Sequence, residues 1–121
     1  MNKLTVYILM GALLVLSSLA SADILPGKPT VLITGSNRGI GLEFAKQYAE
    51  KGWNVIATAR KPGKAEGLKK IAAIHPKLVI EQLDVTDVLS ISALAKKYQG
   101  KTVDVLINNA GIMGKIGRAH V

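Results

Sequence analysis

Residues 30–41 read TVLITGSNRGIG, and the order of features along that stretch decides the fold. Thr30–Thr34 (TVLIT) is an unbroken apolar run, as expected of a strand buried on both faces. Three glycines follow at once and lead into Ile40–Lys51, where Ile40, Phe44, Ala45 and Tyr48 are spaced as on one face of a helix that Gly52 closes. A glycine-rich run alone serves any turn. Between a buried strand and a helix it matches what a pyrophosphate needs. Gly35 is expected to permit the tight turn out of the strand, and Gly39 to leave the backbone open to a close-lying pyrophosphate. Gly41 is expected to let the helix pack closely on the sheet, with the helix N-terminus offering N–H groups and a partial positive charge.

Outward from this loop the same alternation continues. Asn54–Ala59 (NVIATA) reads as a second strand and Lys64–His75 as a second helix, with Leu68, Ile71 and Ala72 turned inward and Pro76 ending it. Leu78–Leu83 is a third strand, Val88–Tyr98 a third helix, and Val103–Ile107 (VDVLI) a fourth strand. Strand–helix alternation with helices of this length predicts right-handed βαβ units: an α/β, Rossmann-type doubly wound parallel sheet that ends at the fourth strand, in the order 3-2-1-4.

The glycines fall at the first, fifth and seventh places after Thr34, which resembles the T-G-x-x-x-G-x-G signature of the short-chain dehydrogenase/reductase family in its compact, single-domain, carbonyl-reductase-like form. Three further segments agree in order and distance: ATAR at the end of the second strand, LDVTD after the third and NNAG after the fourth. The resemblance spans about Pro29 to Gly114. It implies an NAD(P)-dependent oxidoreductase moving hydride between the nicotinamide and a small carbonyl or alcohol, with homo-oligomers as the family's habit. It also implies a cofactor seat lined by Gly35, Ser36, Asn37, Arg38, Gly39, Ile40 and Gly41. Asp84 and Val85 should lie at the adenine, with the alternative that Asp84 caps the next turn, for which Asp87 is the better candidate. Asn109, Ala110 and Gly111 should line the ribose and nicotinamide side, and Asn108 should tie neighbouring strands.

Cofactor choice follows from charge. A carboxylate at the end of the second strand would accept from a ribose 2′-hydroxyl and repel a 2′-phosphate. Thr58, Ala59, Arg60 and Lys61 stand there instead. Arg60, with Arg38 from the glycine loop, suits a 2′-phosphate through charge-assisted hydrogen bonds, so NADP(H) is favoured over NAD(H).

The family's proton relay is a tyrosine with a lysine four residues later. Tyr7, Tyr48 and Tyr98 are followed at that spacing by Gly11, Gly52 and Thr102, so no catalytic residue is assigned within these 121 residues. No metal site is expected either, and the absence of cysteine excludes disulfides and thiolate ligands. A non-catalytic dinucleotide-binding regulator on the same fold is the alternative reading.

The two ends read differently from the domain. Leu4–Ala22 carries no charge, follows Lys3, and closes on Ala20-Ser21-Ala22, the pattern of a secretory signal over residues 1–22 that directs export. A retained membrane anchor is the alternative, and it would be the chain's one membrane contact. Residues 23–29 read as a linker and 30–114 as the cofactor-binding half-domain. Lys115–Val121 (KIGRAHV) continues nothing in the family and reads as AAG ATC GGA AGA GCA CAC GTC, of which ATCGGAAGAGCACACGTC lies within a common sequencing adapter. The tail is therefore expected to be foreign to the gene, whose uninterrupted frame should supply Ser and Tyr-x-x-x-Lys further on.

The formal charge of +8 raises the question of a nucleic-acid partner. Without Lys3, Lys115 and Arg118, the basic residues of the two ends, 13 basic residues remain against 8 acidic ones. Lys46, Lys51, Lys64, Lys69, Lys70, Lys96 and Lys97 are scattered over helix faces, and aromatics are too few for base stacking, so no nucleic-acid partner is expected.

Overall fold

In the computed structural model, residues 24–25 and 27–111 are described. The signal-like segment 1–22 and the tail 115–121 lie outside them. Four parallel strands form one sheet: β1 (Thr30–Ile33), β2 (Asn54–Ala59), β3 (Leu78–Gln82) and β4 (Val105–Ile107). Their order is 3-2-1-4, as the sequence predicts. Helix α1 (Gly39–Glu50) joins β1 to β2. A 3-10 turn at Pro62–Lys64 and α2 (Glu66–Ile74) join β2 to β3, and α3 (Val88–Lys97) joins β3 to β4.

Two apolar layers sandwich the sheet, because alternate residues of each strand face opposite ways. Val31, Ile33, Val55, Ala57 and Ala59 pack with Ala45 and Ala49 of α1 and Leu68 of α2. On the other side Ile56 and Leu83 pack with Leu94 and Tyr98 of α3, flanked by Leu32, Val79 and Val85. This second side is thinly covered towards β4: Leu106, in register with Leu32, is 64% exposed. Glu81 of β3 fastens the end of α3 by accepting from the Tyr98 hydroxyl and pairing with Lys97 at 2.7 Å. Among the described residues no helix is long and apolar enough to cross a membrane.

Helix α1 turns a different face inward from the one its apolar spacing suggests. Gly41, Ala45 and Ala49 are the buried residues, whereas Ile40 is 69% and Phe44 37% exposed. The small residues let the helix approach the sheet closely, which leaves the two larger ones on its shoulder. Strand β4 is shorter than its apolar run. The Asp104 amide still donates to the Thr30 carbonyl at 2.9 Å, while the Thr30 amide donates to the Asp104 carboxylate at 2.8 Å, so Asp104 closes this end of the pair with its side chain as well as its backbone.

The stretch before β1 is built into the sheet. Asn54, 1% exposed at the start of β2, accepts from the Leu25 amide at 3.1 Å and donates to the Leu25 and Lys28 carbonyls at 3.1 and 3.3 Å. An asparagine buried in a central strand is tolerable because both ends of its amide are engaged. Ile24 packs against the α3-side cluster, so the ordered fold begins before β1. Replacing Asn54 by Ala removes the partner of the Leu25 amide and of the Lys28 carbonyl, and leaves the Leu25 carbonyl with only the Lys28 amide at 3.4 Å. Urea unfolding should show a loss of about 1–3 kcal/mol, the usual cost of stranding buried polar groups. Unchanged stability would show that the staple contributes nothing.

Candidate functional site: the glycine loop and the carboxyl ends of the strands

All four strands run the same way, so their carboxyl ends share one edge of the sheet. The strand order reverses between β1 and β4, where open α/β sheets place their ligands. The glycine loop lies at that point. Gly35 turns out of β1 with φ +60°, and a Cβ on it would lie 2.9 Å from the Ala110 Cα. A Cβ on Gly41 would lie 2.2 Å from the Gly35 carbonyl oxygen and 2.7 Å from Asn109 Nδ2. Those distances are below any real contact, so the loop, the helix start and the segment after β4 close on one another only with hydrogen at both positions. Gly39 differs. A Cβ there meets nothing of the protein within 4 Å, and its φ of +57° is what calls for glycine.

Thr34, 5% exposed, is the hub of this junction. Its hydroxyl donates to Asn108 Oδ1 at 3.1 Å and accepts the amides of Asn109 and Ala110, each at 2.9 Å. Asn109 Nδ2 donates to the Gly35 carbonyl at 3.0 Å. Asn108 therefore ties the end of β1 to the end of β4, as expected, and Asn109 braces the loop itself. Motif reading treated Thr34 only as the place from which the glycines are counted. Its signal was the hydroxyl at the end of an otherwise aliphatic strand.

The remaining expected residues divide into two groups. Ser36 is fully buried, and both its amide and its hydroxyl donate to the Thr58 carbonyl at 2.9 Å, so it bonds the loop to β2. Asn37, Arg38, Gly39 and Ile40 are exposed around the start of α1. No side chain caps that helix and no acid lies in its first turn. The amides of the turn and the positive end of the helix dipole are thus available to an anion. Ala110 is half-buried beside Gly35, and Gly111 is exposed just beyond it.

Across the β1–β2 side, Arg60 is exposed directly after β2, and Asp84 and Val85 follow β3. The Asp84 carboxylate accepts the Thr86 hydroxyl at 2.6 Å and the Thr86 amide at 2.9 Å, both on Oδ1. The Thr86 bonds, with a smaller contribution from the Arg60 charge and against some desolvation, hold its pKa below the ordinary carboxylate value. It stays ionised at neutral and mildly acidic pH. Asp87, not Asp84, caps α3, accepting the Leu89 amide at 3.0 Å. Asp84 shapes the turn before that cap and keeps its second oxygen without a hydrogen-bond partner among the described residues. Val85 is half-buried against the α3-side cluster. Two positions that motif reading passed over, Gln82 and Ser90, join this end of the site by hydrogen bonds to Arg60 and Asp84.

These residues share the carboxyl edge of the sheet, with the anion-receptive start of α1 between them. A guanidinium and a carboxylate stand at one end, and the amide-rich segment after β4 at the other. Comparison with known proteins gives the family. A family model described as short chain dehydrogenase matches residues 29–120, and the chain belongs to that family. It is 42% identical over 90 residues to (-)-isopiperitenone reductase of Mentha piperita, covering 69% of this chain and 29% of that protein. It is 44% identical over 96 residues to (+)-neomenthol dehydrogenase of Arabidopsis thaliana, covering 74% and 32%. Among solved structures, a carbonyl reductase from Pseudomonas aeruginosa in complex with NADP superposes with a TM-score of 0.69 at 32% identity, covering 74% of this chain and 40% of that one. The chain thus spans about a third of the length of the curated relatives it matches.

The Thr34 junction makes a direct prediction. Thr34→Val keeps the shape but leaves the Ala110 amide without its acceptor and the Asn109 amide with only its 3.2 Å bond to the Ile107 carbonyl. Chemical denaturation should show a loss of about 1–3 kcal/mol, and hydrogen exchange should speed up at those two amides first. Unaltered exchange there would show that the hydroxyl does not hold the segment.

Proposed function

We propose that this chain is the cofactor-binding half of an NADP(H)-dependent oxidoreductase that moves hydride between the nicotinamide and a small carbonyl or alcohol. The observation that carries the reading is the glycine loop, closed onto the end of β4 through Gly35 and Gly41, with the uncapped start of α1 facing outward. A dinucleotide bound there would supply the hydride chemistry. The chain's own residues bind and orient it: the first turn of α1 receives the pyrophosphate, Asp84 accepts from the adenine amine, and Asn109–Gly111 line the far side.

Preference for the phosphorylated cofactor rests on Arg60. It stands where a NAD-selective site places a carboxylate, while Asp84, the acid whose carboxyl feels its charge, follows the next strand. The relative from Pseudomonas aeruginosa, whose structure holds NADP, lends the reading support. Proton transfer is another matter. None of Tyr7, Tyr48 and Tyr98 has a lysine four residues on, and Tyr98 is buried against the far side of β3, engaged with Glu81. These 121 residues are therefore proposed to bind cofactor without turning over substrate.

Arg60→Ala should weaken NADPH binding by about 1.5–3 kcal/mol, the worth of hydrogen bonds to a charged group, and leave NADH binding nearly unchanged. Calorimetric titration with both cofactors measures this. Equal losses for the two would show that Arg60 does not read the 2′-phosphate.

A further inference from the structure

Three hydrogen bonds run in series across the end of β3. The Gln82 side-chain amide donates to the Arg60 carbonyl at 3.5 Å, the Ser90 hydroxyl donates to Gln82 Oε1 at 2.9 Å, and the Asp84 amide donates to Ser90 Oγ at 2.9 Å. Ser90 lies in the first turn of α3 and is 8% exposed. A serine in a helix ordinarily bonds back to its own helix or faces water. This one reaches out of its helix in both directions. Its single proton goes to Gln82, which orients that amide so that the nitrogen faces Arg60, and its lone pair receives Asp84.

We propose that Ser90 is a positioning residue of the nucleotide seat: it fixes the backbone of Asp84 and, through Gln82, holds the adenine-facing carboxylate in register with Arg60. The proposal rests on the reading of the seat given above and adds the element that sets its geometry. Ser90 does not touch the ligand, since its hydroxyl is buried with donor and acceptor both engaged by protein. It acts from beneath. Thr86 holds Oδ1 of Asp84 through two bonds, and Ser90 holds the amide of the same residue, so Asp84 is tied at both its side chain and its backbone while Oδ2 has no hydrogen-bond partner among the described residues. Both ties come from residues within six positions of Asp84, so the seat's adenine end is assembled when α3 docks on β3.

The test uses the full 121-residue chain and calorimetric titration with adenosine 2′,5′-bisphosphate, which has the adenine and the 2′-phosphate but no nicotinamide. Ser90→Ala should weaken its binding about tenfold, the equivalent of one hydrogen bond of roughly 1.4 kcal/mol. Ser90→Thr, which keeps the hydroxyl, should restore most of the affinity. In an Asp84→Ala background the Ser90→Ala loss should largely vanish, because the carboxylate that Ser90 positions is gone and only its tie through Gln82 to the Arg60 backbone remains. A merely structural serine would lower the melting temperature and give the same loss in both backgrounds. Ser90→Ala binding as the parent chain does, or a loss that persists in full without Asp84, overturns the proposal while leaving the seat in place. Failure of the parent chain itself to bind the bisphosphate overturns the seat, and the proposal with it.

Discussion

The approach of the first crossover to the end of the fourth strand is the constraint on which the rest of the structure depends. Gly41 stands so close to the Gly35 carbonyl that a methyl group would lie 2.2 Å from the oxygen, and Gly35 in turn abuts Ala110. Once that contact is made, helix α1 can meet the sheet only along its small residues, Gly41, Ala45 and Ala49, and its N-terminus is delivered to the mouth between β1 and β4. Thr34 locks the arrangement with one hydroxyl shared among Asn108, Asn109 and Ala110. Packing, helix placement and the anion-receptive mouth are consequences of one close approach.

The two faces of the sheet are built to different degrees. Two helices cover Val31, Ile33, Val55 and Ala57, whereas α3 alone covers the side that carries Leu32, Ile56 and Val79. Ile40 and Phe44 on the shoulder of α1, Val88 and Leu89 on α3 and Leu106 on β4 are apolar and exposed. Side chains of this size in water contribute nothing to the core, so the stability of these residues leans on the α1–α2 side and on buried polar ties such as Asn54 and Thr58. Each of those polar groups has its partners, Thr58 through its hydroxyl bond to the Ile33 carbonyl at 3.0 Å.

Strands β1 to β3 were legible in the sequence because a strand buried on both faces is an apolar run, and these runs are separated by glycine, proline and helical spacing. Their order was legible because parallel crossovers of one hand permit few arrangements. The glycine loop stood out by its spacing and Arg60 by its charge, whereas Asp84 and the Asn108–Gly111 segment were singled out only through the family resemblance. The inward face of α1 was not legible: Ile40 and Phe44 fit helical periodicity, but the close approach selects small residues over apolar ones. The side-chain bond of Asp104 to the Thr30 amide and the role of Thr34 both depend on partners more than 70 positions away. Ser90 carried no signal, being a single serine among the apolar residues that open α3. Its meaning appears only when Gln82 and Asp84 are beside it.

Binding of the dinucleotide at the glycine loop is the claim from which the others follow, and amide shift mapping by NMR during titration with NADP tests it most directly. The largest shifts should fall on residues 35–41, with a second group at Asp84 and Val85 and a third at Asn109–Gly111. Saturable binding that leaves the amides of residues 35–41 unmoved would place the ligand elsewhere and contradict the account.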